Sequence, residues 1–368
     1  FEEHEIRIYP NESMLSHVVG FINHEMKGVA GVERSMDDFL AGQDGYRFIE
    51  HDRDGREIAA YRGQERAPVD GCDVVLTVDM GLQQIVEDEL DAVVEEYRPA
   101  SATIVLMEPR GGGILALANR PCFSPHRIGE APVSARKNHA VASMFEPGST
   151  FKIVAASAAL NERLVDPGTI IHCENGRFLF GGMPLRDHHP YGDLSVSDIL
   201  VKSSNIGAAK LAIQMGEQKF HEYVRRFGFG EASGVDLPGE IAGRVKPVHK
   251  WSRISITRMP IGHEVAATPL QVTAAMAAIA NGGLLVRPHV VGSIVDAEGR
   301  AIREFGGEVR RRVIARETAA KVSAALEGVV GDRGTAAQAQ VEGFRVAGKT
   351  GTAERVSPEG GYQDGRYV

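Results

Sequence analysis

The sequence has few of the features that mark a metal site or a disulfide-stabilised domain. Only three of its 368 residues are cysteines, Cys72, Cys122 and Cys173, and they lie far apart without a C-x-x-C spacing. Neither a zinc site nor a disulfide framework is therefore indicated. We interpret His172 and the Asp-His-His run at 187–189 as incidental residues of a surface loop. The sequence predicts no metal and no cofactor.

Concentrated positive charge and long apolar runs are also missing. The formal net charge of −8 gives no reason to expect a nucleic-acid partner, and we interpret the one basic run, at 310–312, as a solvated turn. The longest uncharged run, at 265–286, is largely alanine with interspersed polar residues, glycine and proline, which is unlike a membrane span. Thr268 as an N-cap before Pro269 instead predicts the start of a buried helix.

The pattern along the chain changes near residue 71. Residues 1–70 are rich in charge and turn signals, with a tight hairpin predicted at Asp54-Gly55. A strand beginning at Asp73 is followed by an amphipathic helix over 82–97. We therefore expect an N-terminal module over 1–70 and a larger domain over 71–368.

The larger domain shows strand patterns at both ends and helix patterns in its middle. Two apolar runs, at 102–107 and 114–119, predict a hairpin. Further elements are helices near 149–160, 195–214, 216–226, 268–280 and 316–330, and a strand at 344–353. This order implies an α+β fold, in which one sheet joins strands that are distant in sequence.

One segment near the end of the chain matches a phosphate-binding loop. Gly343, Gly348, Lys349 and Thr350 satisfy G-x-x-x-x-G-K-[ST]. Such a loop follows a strand and opens a helix, because the helix N-terminus binds the phosphates. Here extended-looking residues lie between the two glycines, and the glycine-rich sequence after Thr350 predicts no helix. A nucleotide hydrolase is thus a remote alternative, and we predict an edge strand instead.

Two serines precede a lysine at the spacing Ser-x-x-Lys. On a helix, Ser149 and Lys152 would share a face, and this suits a serine nucleophile with a neighbouring base. Lysine can act as that base only where burial or a nearby cation lowers its pKa. The apolar residues 153–156 would provide burial, whereas Ser134 and Lys137 stand among charged residues in a predicted exposed loop. An N-cap role for Ser149 remains an alternative.

Two further motifs follow Ser149 in the chain. Residues 203–205 form its only Ser-x-Asn, and residues 349–351 form its only Lys-Thr-Gly. The three motifs in this order are the signature of serine β-lactamases and penicillin-binding proteins.

The wider sequence resembles class B penicillin-binding proteins, the peptidoglycan transpeptidases. The resemblance covers FEPGSTFK, VKSSNIGAAKLA, ANGG followed by RPHVV, and VAGKTGTAE. The stretch RIYPNESMLSHVVGFINHEMKGVAGVERSMDDFLAG resembles the pedestal that precedes the catalytic domain in this family. The short spacer between Gly20 and Gly31 is similar to that of the septal, cell-division members.

The resemblance implies a penicillin-binding, serine β-lactamase-like fold, with an antiparallel sheet flanked by helices and an all-helical subregion. Ser149 would attack the carbonyl of a D-alanyl-D-alanine stem peptide or of a β-lactam, and Lys152 would take its proton. Ser203 would relay a proton to the leaving amine, and Asn205 would hold Lys152 and the substrate amide.

The third motif would bind the substrate. By the same resemblance, Lys349 would supply positive potential, and Thr350 and Thr352, on either side of Gly351, would bind the terminal carboxylate. The backbone N–H groups of Ser149 and Thr352 would form an oxyanion hole.

The resemblance also implies partners and a location. These are peptidoglycan stem peptides, β-lactam antibiotics, a membrane glycosyltransferase and other cell-division proteins, on the extracytoplasmic face of the bacterial cytoplasmic membrane. The family has a membrane anchor before the pedestal and a return strand with a helix after the Lys-Thr-Gly strand. We therefore expect both to lie outside this sequence.

Two other activities fit the three motifs. A penicillin sensor would carry them as a binding module, but would not be expected to carry the pedestal-like N-terminus. A class A β-lactamase would deacylate through a glutamate in Glu-x-x-Leu-Asn, and no such pentad occurs.

Overall fold

The computed structural model describes residues 6–48, 50, 52–54, 56, 58, 65–352, 354–356 and 362–367. Its α-helices are Ser16–Val19, Gly31–Ser35, Asp37–Leu40, Met80–Tyr97, His139–Ala142, Lys152–Asn161, Val196–Val201, Asn205–Met215, Glu217–Arg226, Ser255–Arg258, Pro269–Ala280 and Arg316–Val330. Its strands are Phe21–Ile22, Gly28–Ala30, Tyr46–Arg47, Glu65–Arg66, Asp73–Leu76, Ala102–Met107, Ile114–Arg120, Ile170–His172, Arg177–Phe180, Met183–Arg186, Asp193–Ser195, Arg244–Val245, Val265–Ala266, Leu284–Val286, Val291–Val295, Ala301–Glu304, Val309–Arg312, Glu354–Val356 and Tyr362–Tyr367.

The sheet region joins strands that are distant in sequence, as predicted. Asp73–Leu76 pairs antiparallel with Val291–Val295, which pairs in turn with Ala301–Glu304. The predicted hairpin forms between Ala102–Met107 and Ile114–Arg120. The Thr77 hydroxyl links the two sets of strands by donating to the Ile114 carbonyl at 2.8 Å.

The helix Met80–Tyr97 covers one face of this hairpin. Asp79 caps it by accepting a hydrogen bond from the Leu82 N–H. The Gln83 side chain lies buried between helix and strand, where it accepts from the Leu117 N–H at 2.9 Å and donates to the Leu117 carbonyl at 3.2 Å. These bonds satisfy polar groups that burial would otherwise leave unpaired.

A second region is built mainly from helices. Lys152–Asn161 is buried along almost its whole length, packed against Asn205–Met215, Glu217–Arg226 and Arg316–Val330. A helix that is apolar on all sides belongs in a core. The all-helical subregion is thus confirmed, and with the antiparallel sheet it gives the α+β architecture predicted from the sequence.

The N-terminal module shares a hydrophobic cluster with the larger domain. Leu15 and Val18 lie in one buried cluster with Ile114 and Leu117. The boundary near residue 70 stays a prediction. At the hairpin predicted for Asp54-Gly55, Gly55 lies outside the described residues, although backbone hydrogen bonds join Asp52 N–H to Arg56 O and Ile58 N–H to Glu50 O.

The predicted helix over 195–214 is wrong in one respect, because the structure divides it in two. Val196–Val201 ends before Ser203, whose φ of 57° lies in the left-handed region. A new helix then starts with Ser204 as its N-cap, accepting from the Gly207 N–H at 2.9 Å. This break places Ser203 in a turn.

The strand predicted at 344–353 is also wrong for the described residues, because 344–352 joins no β-ladder. The Gly348 N–H donates to the Leu326 carbonyl at 3.2 Å, so this segment binds a helix rather than a neighbouring strand. A hairpin of Glu354–Val356 and Tyr362–Tyr367 follows it. A strand hairpin instead of a helix removes the context that a phosphate-binding loop needs.

The basic run at 310–312 is not the solvated turn we expected. It belongs to the strand Val309–Arg312, which pairs with Leu284–Val286, and Arg310 and Arg311 both form ion pairs with Glu231. Across the described ranges, no helix is long and apolar enough to cross a membrane.

Candidate active site

Ser149 lies on a turn that leads directly into the buried helix Lys152–Asn161. The turn Gly148–Phe151 is a 3-10 helix, and the Lys152 N–H donates to the Ser149 carbonyl. Ser149 is partly exposed, whereas the side chain three positions later, Lys152, is 0% exposed. The sequence thus places a solvent-accessible hydroxyl one helical turn from an amine that is buried away from water.

The Lys152 amino group binds the Ser203 turn. Its Nζ donates to the Ser203 carbonyl at 2.5 Å and to the Ser203 hydroxyl at 3.1 Å. Burial lowers the Lys152 pKa well below its ordinary value, and the neighbouring positive charge of Lys349 lowers it further, while Asp187 opposes the shift. A lowered pKa favours the neutral amine, which is the form of lysine that can accept a proton.

Lys349 brings the third motif to the same hydroxyl. Its Nζ donates to the Ser203 hydroxyl at 2.9 Å and to the Thr350 carbonyl at 3.1 Å. Burial lowers the Lys349 pKa to about 8. The Ser203 side chain therefore joins the Ser-x-x-Lys and Lys-Thr-Gly motifs.

The residues 351–352 lie directly against the turn that carries Ser149. A Cβ atom built on Gly148, whose φ is +55°, would stand 2.6 Å from the Thr352 carbonyl oxygen. One built on Gly351 would stand 2.7 Å from the Thr150 methyl group. Both approaches need glycine, and they set the backbone of Thr352 beside that of Ser149.

Two predicted site residues make contacts other than those implied by the resemblance. The Asn205 amide nitrogen donates to the Arg186 carbonyl at 2.8 Å, and the bonds of Lys152 Nζ go to Ser203 instead. The Thr350 hydroxyl lies 2.9 Å from the hydroxyl of Thr335. The structure thus assembles all three motifs, with Ser203 rather than Asn205 in contact with Lys152.

Two residues that support the site, Asp187 and Gly262, were not among the site residues predicted from the sequence. Asp187 accepts hydrogen bonds from the Ser204 hydroxyl at 2.7 Å and from the Asn205 and Ile206 N–H groups. Gly262 lies so close to the serine turn that an added Cβ would stand 2.1 Å from the Gly148 carbonyl oxygen. Both contacts are distant in sequence, so no local pattern reveals them. No group of three His, Cys, Asp or Glu side chains suited to a metal lies within the described part of the chain.

Comparison with known proteins gives two family matches. The penicillin binding protein transpeptidase domain matches residues 102–368, and the penicillin-binding protein dimerisation domain matches residues 1–76. The first match covers well over half of the chain.

Among curated relatives, penicillin-binding protein PbpB of Mycolicibacterium smegmatis is 35% identical over 377 residues, covering 100% of this chain and 58% of the relative. Peptidoglycan D,D-transpeptidase FtsI of Escherichia coli is 32% identical over 366 residues, covering 100% of this chain and 59% of the relative. The chain therefore spans less than two thirds of the length of these relatives.

Solved structures agree with these matches. Apo penicillin binding protein 3 of Mycobacterium tuberculosis has a TM-score of 0.87 and 33% identity, over 98% of this chain and 79% of that one. A structure of the same protein complexed with aztreonam gives the same values. With its three motifs meeting at one hydroxyl and relatives aligned along its full length, the chain belongs to the class B penicillin-binding proteins.

Proposed function

We propose that this chain is a serine-type D,D-transpeptidase that cross-links peptidoglycan stem peptides through an acyl-enzyme on Ser149. The observation that carries the proposal is the fully buried Lys152, which follows Ser149 by one helical turn and contacts the Ser203 hydroxyl. Nucleophilic catalysis by serine requires a base in such a position.

In the first half-reaction, Ser149 Oγ attacks the carbonyl carbon of the D-Ala-D-Ala bond. Neutral Lys152 takes the hydroxyl proton. The C–N bond then breaks as Ser203 gives its proton to the departing D-alanine amine and receives the proton held by Lys152, whose Nζ contacts its hydroxyl. In the second half-reaction, an amine of another stem peptide attacks the ester and loses a proton through Ser203 to Lys152, and the C–O bond breaks as Lys152 returns this proton to the Ser149 oxygen. A β-lactam would react in the first half-reaction only, because its amine remains attached to the acyl group.

The third motif supplies the substrate contacts in this proposal. Lys349 lies close enough to Ser203 to place positive charge beside the terminal carboxylate, which Thr350 and Thr352 would bind. The N–H groups of Ser149 and Thr352 would stabilise the oxyanion. The close approach of Gly148 to the Thr352 backbone supports this pairing.

We also propose septal cell-wall synthesis as the setting. The similarity to FtsI supports this choice. The domain would then act on the extracytoplasmic face of the cytoplasmic membrane, anchored through an N-terminal segment, with a membrane glycosyltransferase and cell-division proteins as partners.

Covalent labelling with a fluorescent penicillin tests the proposed nucleophile. Peptide mapping should place a single adduct on Ser149, and Ser149→Ala should abolish labelling, because no other residue supplies the nucleophile. Ser134→Ala is the matched control, since Ser134 has the same spacing to a lysine, and it should be labelled normally. An adduct on Ser134, or labelling that persists in Ser149→Ala, would refute the assignment.

The lifetime of the adduct tests the competing activities. In a transpeptidase, the penicilloyl adduct should last much longer than one catalytic cycle of a β-lactamase. A transpeptidase should also release D-alanine from a stem peptide when an acceptor amine is present. Rapid hydrolysis of the adduct would indicate a β-lactamase. Stable labelling without any turnover of stem peptides would indicate a sensor.

A further inference from the structure

Ser203 occupies an unusual backbone position for a residue with such close contacts. Its φ of 57° lies in the left-handed region, which residues other than glycine seldom adopt. This conformation directs both the carbonyl and the hydroxyl of Ser203 to Lys152 Nζ. Such a strained residue persists only where its surroundings hold it.

The group that holds the turn is the carboxylate of Asp187. Asp187 Oδ1 accepts from the N–H groups of Asn205 and Ile206, and Oδ2 accepts from the Ser204 hydroxyl at 2.7 Å. Three donors that follow Ser203 directly are therefore bound by one side chain. The bonds also satisfy the first free N–H groups of the helix Asn205–Met215, where negative charge is favourable.

Asp187 is itself fixed by the strands before it. Its N–H donates to the Gly176 carbonyl at 3.2 Å, and the carbonyl of the preceding Arg186 accepts from the Asn205 amide at 2.8 Å. The Ser204 hydroxyl also lies 3.5 Å from the sulfur of buried Cys173. Asp187 thus directly follows the antiparallel hairpin of Arg177–Phe180 and Met183–Arg186.

We propose that Asp187 is the positioning residue that fixes the Ser203–Asn205 turn against Lys152 and places a negative charge near that amine. The inference rests on the proposed acylation of Ser149 and adds a residue outside the three motifs. Among the described residues, the other charged group that acts on Lys152 is Lys349. The two groups oppose each other, because Asp187 raises the Lys152 pKa and Lys349 lowers it.

The test is the pH profile of acylation by a fluorescent penicillin. Asp187→Asn keeps an oxygen that can accept from the backbone but removes the charge. We expect its plateau rate to fall about tenfold, because small displacements in a reacting assembly cost up to about 100-fold in rate. Its acid limb should also move to lower pH, because loss of the negative charge favours neutral Lys152. Asp187→Ala should be slower still.

Asp193→Asn is the matched control. Asp193 lies on the same stretch of chain, but its side chain is 67% exposed and pairs with His172 at 2.7 Å. Its rate and profile should equal those of the unchanged protein. A plateau rate or an acid limb in Asp187→Asn that matches the unchanged protein overturns the proposal.

Amide hydrogen exchange gives a readout that does not depend on activity. In Asp187→Ala the amides of Asn205 and Ile206 should lose protection, while Asp193→Asn should leave them protected. Unchanged protection in Asp187→Ala overturns the proposal even if the protein never reacts with penicillin. Failure of the unchanged protein to acylate, with protection lost as expected, would instead count against the proposed function alone.

Discussion

The chain contains the same short motif twice, in two surroundings that differ completely. Ser134 and Ser149 each lie on a 3-10 turn with a lysine three positions later. After the first turn the chain leaves helical geometry at Lys137, which is exposed. After the second it continues as a buried helix, and Lys152 has no exposed surface.

The difference shows that the Ser-x-x-Lys spacing brings the hydroxyl and the amine close together, while burial of the lysine makes the amine able to act as a base. An exposed lysine near neutral pH is an ammonium ion and cannot take a proton. Lys152 differs because burial and the charge of Lys349 lower its pKa. A Ser-x-x-Lys match therefore indicates a nucleophile only when the residues after the lysine are those of a core helix.

The largest expected effect comes from removing the buried amine. Lys152→Ala should slow acylation by a β-lactam by about 10²–10⁴-fold, because general-base assistance contributes that much to such reactions. Stopped-flow measurement of the acylation rate would check this, with circular dichroism to establish that the helix remains folded.

Lys137→Ala is the matched control for the other copy of the motif. Because Lys137 is exposed, its loss should leave the acylation rate unchanged. Equal rates in Lys152→Ala and Lys137→Ala would mean that burial of Lys152 has no part in activating Ser149.

The residue before each serine should have the next largest effect. Gly148 has a φ of +55°, and its missing Cβ leaves room for the Thr352 carbonyl. Val133 occupies the corresponding position in the first copy, with 80% of its surface exposed. Gly148→Ala should displace the Thr352 backbone and slow acylation about 100-fold, the usual cost of losing one oxyanion donor.

Val133→Ala should have no effect on the same acylation rate. A normal rate in Gly148→Ala would show that the backbone of Thr352 takes no part in stabilising the oxyanion. Thermal melting of both variants would separate a local displacement from a general loss of stability.

Much of the fold could be predicted because its signals are local. The helix Pro269–Ala280 begins at a capping box formed by Thr268 and Gln271, next to a proline at the first helical position. The hairpin around residues 108–113 follows from two apolar runs separated by glycines. Neither element needs a distant partner to be identified.

The errors occurred where distant contacts decide the structure. Ser203 breaks a predicted helix because Asp187 and Lys152, from other elements, hold its turn. The segment before Lys349 binds the Leu326 carbonyl instead of a strand. The three motifs could be recognised in sequence, but the contact of both lysines with one hydroxyl could not, because it joins residues up to 146 positions apart.

The smallest expected effect is a pH dependence of stability from Lys349. Its pKa in the folded protein is about 8, below the ordinary value of 10.5, so the folded state disfavours its charge. Between these two values the unfolded chain binds more protons than the folded one, and stability from this group therefore rises with pH. Below pH 8 the full penalty is present, and above pH 10.5 it is gone.

The melting temperature of the unchanged protein, measured relative to Lys349→Met, should consequently increase by roughly 1–3 °C from pH 7 to pH 10. Lys137→Met, which removes an exposed lysine, should instead give a difference that is constant with pH. Parallel curves for the unchanged protein and Lys349→Met would show that burial of Lys349 does not perturb its ionisation.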